Sequence, residues 1–257
     1  SLLLLFQCFS RLFKPYFPYP FTASSNQNRI VGGTLTTINQ YPYGAVLQSS
    51  YDFSYYEQEC GGTIINNRSI LTAAHCLLWT TAANWRVRLG SSFASSGGTL
   101  YSVQQALAHP KFSPDSLDYD FLILRLSSTI IYSENVAPAY IAGPNYNLQD
   151  NSVVWAIGWG LTESFGLPSE QLRQVQMWTV NQDECRTRYG TISDQMLCAG
   201  WLDVGGRDQC QGDSGGPLIH MGVVVGLCSF GGLCGQANKP GVNARVSSAS
   251  LWIRDNA

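Results

Sequence analysis

The sequence predicts an all-β fold of barrel or sandwich class, and three observations carry that reading. Short alternating or β-rich runs recur along the chain, clusters of Gly, Asn, Ser and Pro separate them, and helical signal is confined to two places. The 257 residues are 45% apolar, enough to bury one large core or two smaller ones, which excludes both a disordered chain and a stapled mini-protein.

The expected strands, in order, are 63–65, 69–73, 85–89, 100–106, 121–126, 153–157, 172–180 and 223–227. The two helical signals are Asn181-Gln-Asp-Glu184, which has capping-box spacing, and the last ten residues, where Ser248 is a candidate cap. There is no internal repeat, low-complexity tract or long linker, so any two sub-domains sit close together.

Net charge is −2, from 15 basic and 17 acidic residues with no Lys/Arg run, so neither nucleic acid nor an anionic membrane surface is an expected partner. Three Lys (Lys14, Lys111, Lys239) against twelve Arg keep positive charge in place well above neutral pH, which points to an alkaline setting. Eight Cys without a C-x-x-C pair argue for disulfides over a zinc site, and disulfides argue for a secreted protein. Residues 2–9 (LLLLFQCF) have the length of a signal-peptide apolar core and are far short of the roughly 20 residues a membrane span needs. The aromatic, Pro-rich RLFKPYFPYPF that follows makes residues 1–20 an incomplete or atypical leader.

The chemistry is concentrated in RDQCQGDSGGPL at 207–218. Gly212-Asp213-Ser214-Gly215-Gly216 fits the G-x-S-x-G pattern of a hydrolase nucleophile, a pattern cheap to meet by chance. His75, in TAAHC, reads by itself as a strand-end histidine beside a cysteine. Asp120, in DYDFLILRL, reads by itself as a turn-forming aspartate. Their order decides between hydrolase classes. An α/β-hydrolase requires Ser, then acid, then His, yet the only His after Ser214 is His220, six residues on with no acid between. His75, Asp120, Ser214 is a different order.

That order, with TAAHC and GDSGGPL, resembles the chymotrypsin-type serine proteases. So do NRIVGG at 28–33, CGGTII at 60–65, GWG at 158–160 and NKPGV at 238–242, and the resemblance covers residues 29–257. CAGWLDVGGRDQCQGDSGGPL and GVNARVS are similar to the midgut alkaline trypsins of moth and butterfly larvae.

The resemblance implies two antiparallel six-stranded β-barrels, about 30–135 and 136–245, with a short C-terminal helix. The protease domain would be 30–257, behind a leader (1–20) and an activation peptide (21–29). It implies a secreted, digestive endopeptidase of the gut lumen, cleaving after Arg or Lys through His75 as base, Asp120 as its orienter and Ser214 as nucleophile. The N–H groups of Gly212 and Ser214 would form the oxyanion hole. Asp208 would meet the substrate cation, with Gly231 and Gly241 as open pocket walls and Gln209 and Phe230 beside them. Cleavage at Arg29-Ile30 would free an amine to pair with Asp213.

Family pairing implies the disulfides Cys60–Cys76, Cys185–Cys198 and Cys210–Cys234, leaving Cys8 in the leader and Cys228 as a small hydrophobe in a strand. Expected partners are protein and peptide substrates and proteinaceous inhibitors, with no cofactor or metal and a monomeric chain. Residues 90–114 carry no acidic residue to cage calcium. Gln209, Phe230 and Asn243 depart from vertebrate trypsins, and Asn67-Arg-Ser69 is a glycosylation sequon. Two alternatives are a regulatory protease of a defence or developmental cascade and a non-catalytic homologue acting as a binding protein. The latter would be expected to lack a triad member, and all three are present.

Overall fold

The computed structural model describes residues 31–257. The expected leader and activation peptide, Cys8, Arg29 and Ile30 lie outside the described residues. After a two-residue strand β1 (Thr34–Leu35), strands β2 (Gly44–Ser49), β3 (Glu57–Ile64), β4 (Ser69–Thr72), β5 (Trp85–Leu89), β6 (Thr99–Ala108) and β7 (Leu122–Leu126) close an antiparallel barrel in the order β2-β3-β4-β7-β6-β5. Its last seam joins β2 to β5, with Ala45 opposite Leu89 and Leu47 opposite Val87.

A short β8 (Tyr140–Ile141) then leads to the second barrel. This is built from β9 (Val153–Gly158), β10 (Arg173–Thr179), β11 (Met196–Gly200), β12 (Pro217–His220), β13 (Val223–Phe230) and β14 (Gly241–Arg245). The ring runs β10-β11-β14-β13-β12-β9 and closes by six β9–β10 pairs, from Gly158 opposite Arg173 to Val153 opposite Trp178. The barrel strands therefore span 44–126 and 153–245. β1 falls inside the expected first-barrel range yet pairs with β10 of the second barrel, Thr34 opposite Gln174.

One apolar cluster spans both barrels, beside separate clusters within each half. Along β7, Leu122, Leu124 and Leu126 point into the first barrel, while Phe121 and Ile123 join a cluster with Ile157, Leu172 and Leu218 of the second. The same alternation splits Ala45 and Leu47 from Val46 on β2, and Ile70 from Leu71 on β4. Strands with both faces covered show no polar alternation. Hence β2 (GAVLQS) and β11 (MLCAG), buried at every position, escaped the sequence reading, as did the short β12 and β14.

Helix α1 (Gln182–Tyr189) is capped by Asn181, whose side-chain oxygen accepts from the N–H groups of Asp183 and Glu184. Glu184 turns away from the cap to bind Arg188 one turn on, at 2.6 Å. Helix α2 (Val246–Asn256) starts two residues before the expected Ser248 cap, and the Ser248 hydroxyl instead donates to the Arg245 carbonyl. It buries Val246, Ala249, Ser250 and Ile253, a stripe at helical spacing. Its far end reaches the first barrel, where Arg125 donates to the Asn256 carbonyl at 2.7 Å and Trp252 meets the His109 ring edge-on at 4.8 Å.

Leu124 has no exposed surface and its strand has partners on both sides, so the site cannot collapse around a smaller residue. Leu124→Ala should cost about 2–5 kcal/mol. The check is a lowered denaturant midpoint at unchanged slope.

Candidate active site

His75 sits on a 3₁₀ turn, Ala74–Leu77, that follows β4, and the Cys60–Cys76 disulfide fastens this turn to β3. Asp120 directly precedes Phe121 and β7 and has no exposed surface. The Tyr119 backbone before it is left-handed, with φ of 51°. The carboxylate accepts the His75 backbone N–H on one oxygen, at 2.9 Å, and faces His75 Nδ1 with the other, at 2.7 Å. An ionised carboxylate only accepts, so Nδ1 carries the proton and Nε2 keeps a lone pair.

A third donor comes from the second barrel: the Ser229 hydroxyl, on β13, at 2.6 Å. Burial pushes the Asp120 carboxyl up, but the charge of His75 and the hydrogen bonds from His75 and Ser229 outweigh it, so the pKa is lowered. For His75, burial pushes down and Asp120 outweighs it, so the imidazole is raised.

Ser214 stands in a turn pressed against the first barrel. Its carbonyl accepts from Gly61 N–H at 2.8 Å, and Gly215 N–H donates to the Cys228 carbonyl at 2.7 Å. At Gly215, with φ of 74°, a Cβ would fall 2.0 Å from Thr72 Oγ1 and 2.7 Å from Ala73 N, so only glycine permits this approach. Gly212 also has a positive φ, 92°, and its carbonyl is held by Gln58 Nε2 at 2.5 Å. Asp213 is fully buried; its oxygens accept from Gly160 N–H at 2.8 Å and Cys210 N–H at 2.9 Å. Burial pushes its pKa up to about 7, against those hydrogen bonds.

His75 and Ser214 line one cavity of about 610 Å³ together with Asp208, Gln209, Gly212, Phe230, Gly231 and Gly241. Asp208 is buried, and one oxygen accepts Gly235 N–H at 2.9 Å. A Cβ on Gly241 would sit 2.6 Å from the other, whereas at Gly231 nothing approaches a Cβ closer than 3.7 Å. The Cys210–Cys234 disulfide lies on the cavity wall, and Cys185–Cys198 ties α1 to β11. Cys228, half-buried in β13, has a free thiol that burial pushes well above its ordinary pKa. Asn243 is buried with neither side-chain polar atom bonded to protein. Ser229 and Gln58 gave no sequence signal, because a lone Ser in a strand and a Gln near its start occur everywhere. Arg29 and Ile30, the expected partner of Asp213, are outside the described residues.

The sequence matches the trypsin family over residues 30–253. The chain belongs to the trypsin family. It is 56% identical over 235 residues to trypsin CFT-1 of Choristoneura fumiferana, an alignment covering 90% of this chain and 92% of that one. It is 55% identical over 237 residues to alkaline trypsin C of Manduca sexta, covering 91% and 93%. Achelase-1 of Lonomia achelous is 52% identical over 236 residues, covering 89% of this chain and all of the relative. It is thus a trypsin-like serine endopeptidase.

In this trypsin-family structure Asp208 carries the clearest pH signature. Burial pushes its pKa up to about 7, against hydrogen bonds from Gly235 and Gln209. A raised carboxyl contributes stability that is complete below the unfolded value of about 4 and lost as pH rises to the folded value. Between those limits the folded state binds the extra proton. Asp208→Asn removes that loss and should be more stable than the parent at pH 8 by about 1–4 kcal/mol, with little difference at pH 4. Thermal unfolding at both pH values checks it, and equal stability at pH 8 would contradict the raised carboxyl.

Proposed function

We propose that this endopeptidase cleaves on the carboxyl side of Arg or Lys, with Ser214 as nucleophile, His75 as general base and acid, and Asp120 as the fixed charge that holds the imidazole. The observation that carries the reading is the two-pronged His75–Asp120 contact opening onto the same cavity as Ser214 and Asp208. His75 Nε2 takes the Ser214 hydroxyl proton as Oγ attacks the substrate carbonyl. The resulting oxyanion is received by the N–H groups of Gly212 and Ser214, each worth about 3–4 kcal/mol in such a site. Collapse of the tetrahedral species sends the proton from His75 to the leaving amine. Water, deprotonated by the same nitrogen, then releases the acyl group, and Asp120 stays ionised throughout.

Asp208 selects the substrate. A guanidinium meets a buried carboxylate with paired hydrogen bonds, while an aromatic side chain would leave that charge desolvated and alone. Replacing Ser214 or His75 by Ala should each lower kcat by a factor on the order of 10⁶, since triad members act as a unit. The parent should cleave Arg and Lys amides far faster than a Phe amide. A Ser214→Ala enzyme retaining a few per cent of activity, or a Phe amide matching Arg, would sink the assignment.

The chain is read as a secreted zymogen of the gut lumen, opened at Arg29-Ile30. Support comes from the residues just past that bond: the Val31 carbonyl accepts Asp208 N–H at 3.3 Å, and a Cβ on Gly32 would fall 2.0 Å from the Gly206 carbonyl oxygen. An amine freed at residue 30 would directly precede residues 31 and 32, which are docked beside the Asp208 loop. Arg29→Gln should stay inert on exposure to trypsin, while the parent gains activity with Ile30 as its new N-terminus. Sequencing the N-terminus alongside the assay checks both.

A further inference from the structure

The residue before Asp208 is Arg207, and its side chain leaves the cavity for an aromatic clamp on the barrel wall. The guanidinium lies 4.5 Å from the Trp201 ring centre and 5.3 Å from that of Trp178, and the two indoles are 5.6 Å apart, tilted by 39°. Nη1 also reaches toward the Gln176 carbonyl at 3.5 Å. Gln176 and Trp178 belong to β10, Trp201 follows β11 directly, and the strands pair with Trp178 opposite Gly200. Both walls of the clamp are therefore mounted on the second barrel.

The loop it anchors is also tied to α1 by the Arg188–Asp203 ion pair at 3.0 Å, but the stretch between Asp203 and Arg207 is loosened by two glycines. Gly205 and Gly206 both have φ of 75°, and glycine pairs carry the highest backbone entropy. The loop folds back through Val204 and Gly205 N–H onto the Trp201 carbonyl, and crosses to a neighbouring loop by Asp203 N–H to Ala237 and Gly206 N–H to Gly235. On its outer side it receives residues 31 and 32, where a Cβ on Gly32 would sit 3.0 Å from Arg207 Cγ and one on Gly235 2.6 Å from Val31 Cγ1. Its end, Asp208, uses its N–H for Val31 and its carboxylate for Gly235. Arg207 thus adjoins both residues 31 and 32 and the carboxylate that faces the cavity. A planar, always-charged guanidinium within cation–π distance of two indoles is suited to hold such a backbone, since it loses little freedom on docking.

We propose that Arg207 is a positioning residue for substrate recognition: packed over the Trp178–Trp201 pair, it fixes the 201–208 loop so that Asp208 faces the cavity while residues 31 and 32 stay docked behind it. The proposal rests on the reading of Asp208 as the carboxylate that meets the substrate cation. It assigns the aromatic pair to specificity, at a distance from the bond being cut.

The test compares activated parent, Arg207→Ala, Arg207→Lys and Trp201→Ala, each corrected for active sites by the burst from an ester substrate. Arg207→Ala should raise KM for an Arg amide by about five- to twenty-fold with kcat within about threefold, because uniform binding and not the chemical step is weakened. The inhibition constant of a small aryl amidine, which reaches Asp208 alone, should rise by the same factor. Arg207→Lys should recover part of the loss, since it keeps the charge without the planar stack. Trp201→Ala, which removes one partly exposed wall, should reproduce the KM rise and serves in place of Arg207→Ala where that variant does not fold. A KM and an amidine constant within twofold of the parent, or a fall in kcat at unchanged KM, overturns the proposal. If the parent itself shows no preference for Arg over Phe, the Asp208 reading has failed and the clamp's role in specificity falls with it.

Discussion

The Asp120 carboxylate is a charge with no access to water, and the architecture is arranged around the cost of keeping it there. An unpaired carboxylate in that position would take up a proton or force the barrels apart. It is held ionised by three donors, two from the turn after β4 and one from Ser229 on β13. The first two belong to one barrel and the third to the other. Docking the barrels and charging the acid are consequently one event, and the imidazole that depends on this charge is oriented only when the whole interface is closed.

Backbone contact explains why the serine turn joins that interface so tightly. Ser214 is bonded through its carbonyl to Gly61 on β3, and Gly215 lies against the Thr72–Ala73 chain at a distance no side chain tolerates. A turn seated this way moves with the first barrel although its chain continues into β12 of the second. Its position is set by main-chain atoms, which have no rotamers to lose, and this suits a nucleophile whose placement must hold within fractions of an ångström.

Much of this was legible in the residues because the chemistry needs a fixed order and a few fixed glycines. His75, Asp120 and Ser214 announce a hydrolase only as a set, and the structure brings His75 into contact with Asp120 and opens both His75 and Ser214 onto one cavity. Strands with one face open to solvent or partly so, such as β6 and β10, were visible from alternation. Those covered on both faces, β2 and β11, were silent, since burial on two sides erases the pattern that periodicity reads. Ser229, Gln58 and the contact of Arg207 with Trp178 were silent for another reason: each joins residues tens of positions apart, and nothing local distinguishes them from ordinary polar positions.

The two ends of the described chain are exchanged between the barrels. β1 pairs with the second barrel, and α2, which follows the second barrel's last strand, rests its Trp252 and Asn256 on the first. Each half is therefore strapped by a piece of the other. A ribosome releasing this chain cannot finish the first barrel's outer surface until residues 252–256 emerge, so that half must wait, partly uncovered, until the second barrel has been made. Once folded, the two halves are thus joined at both ends of the described chain as well as through the connection between β7 and β9.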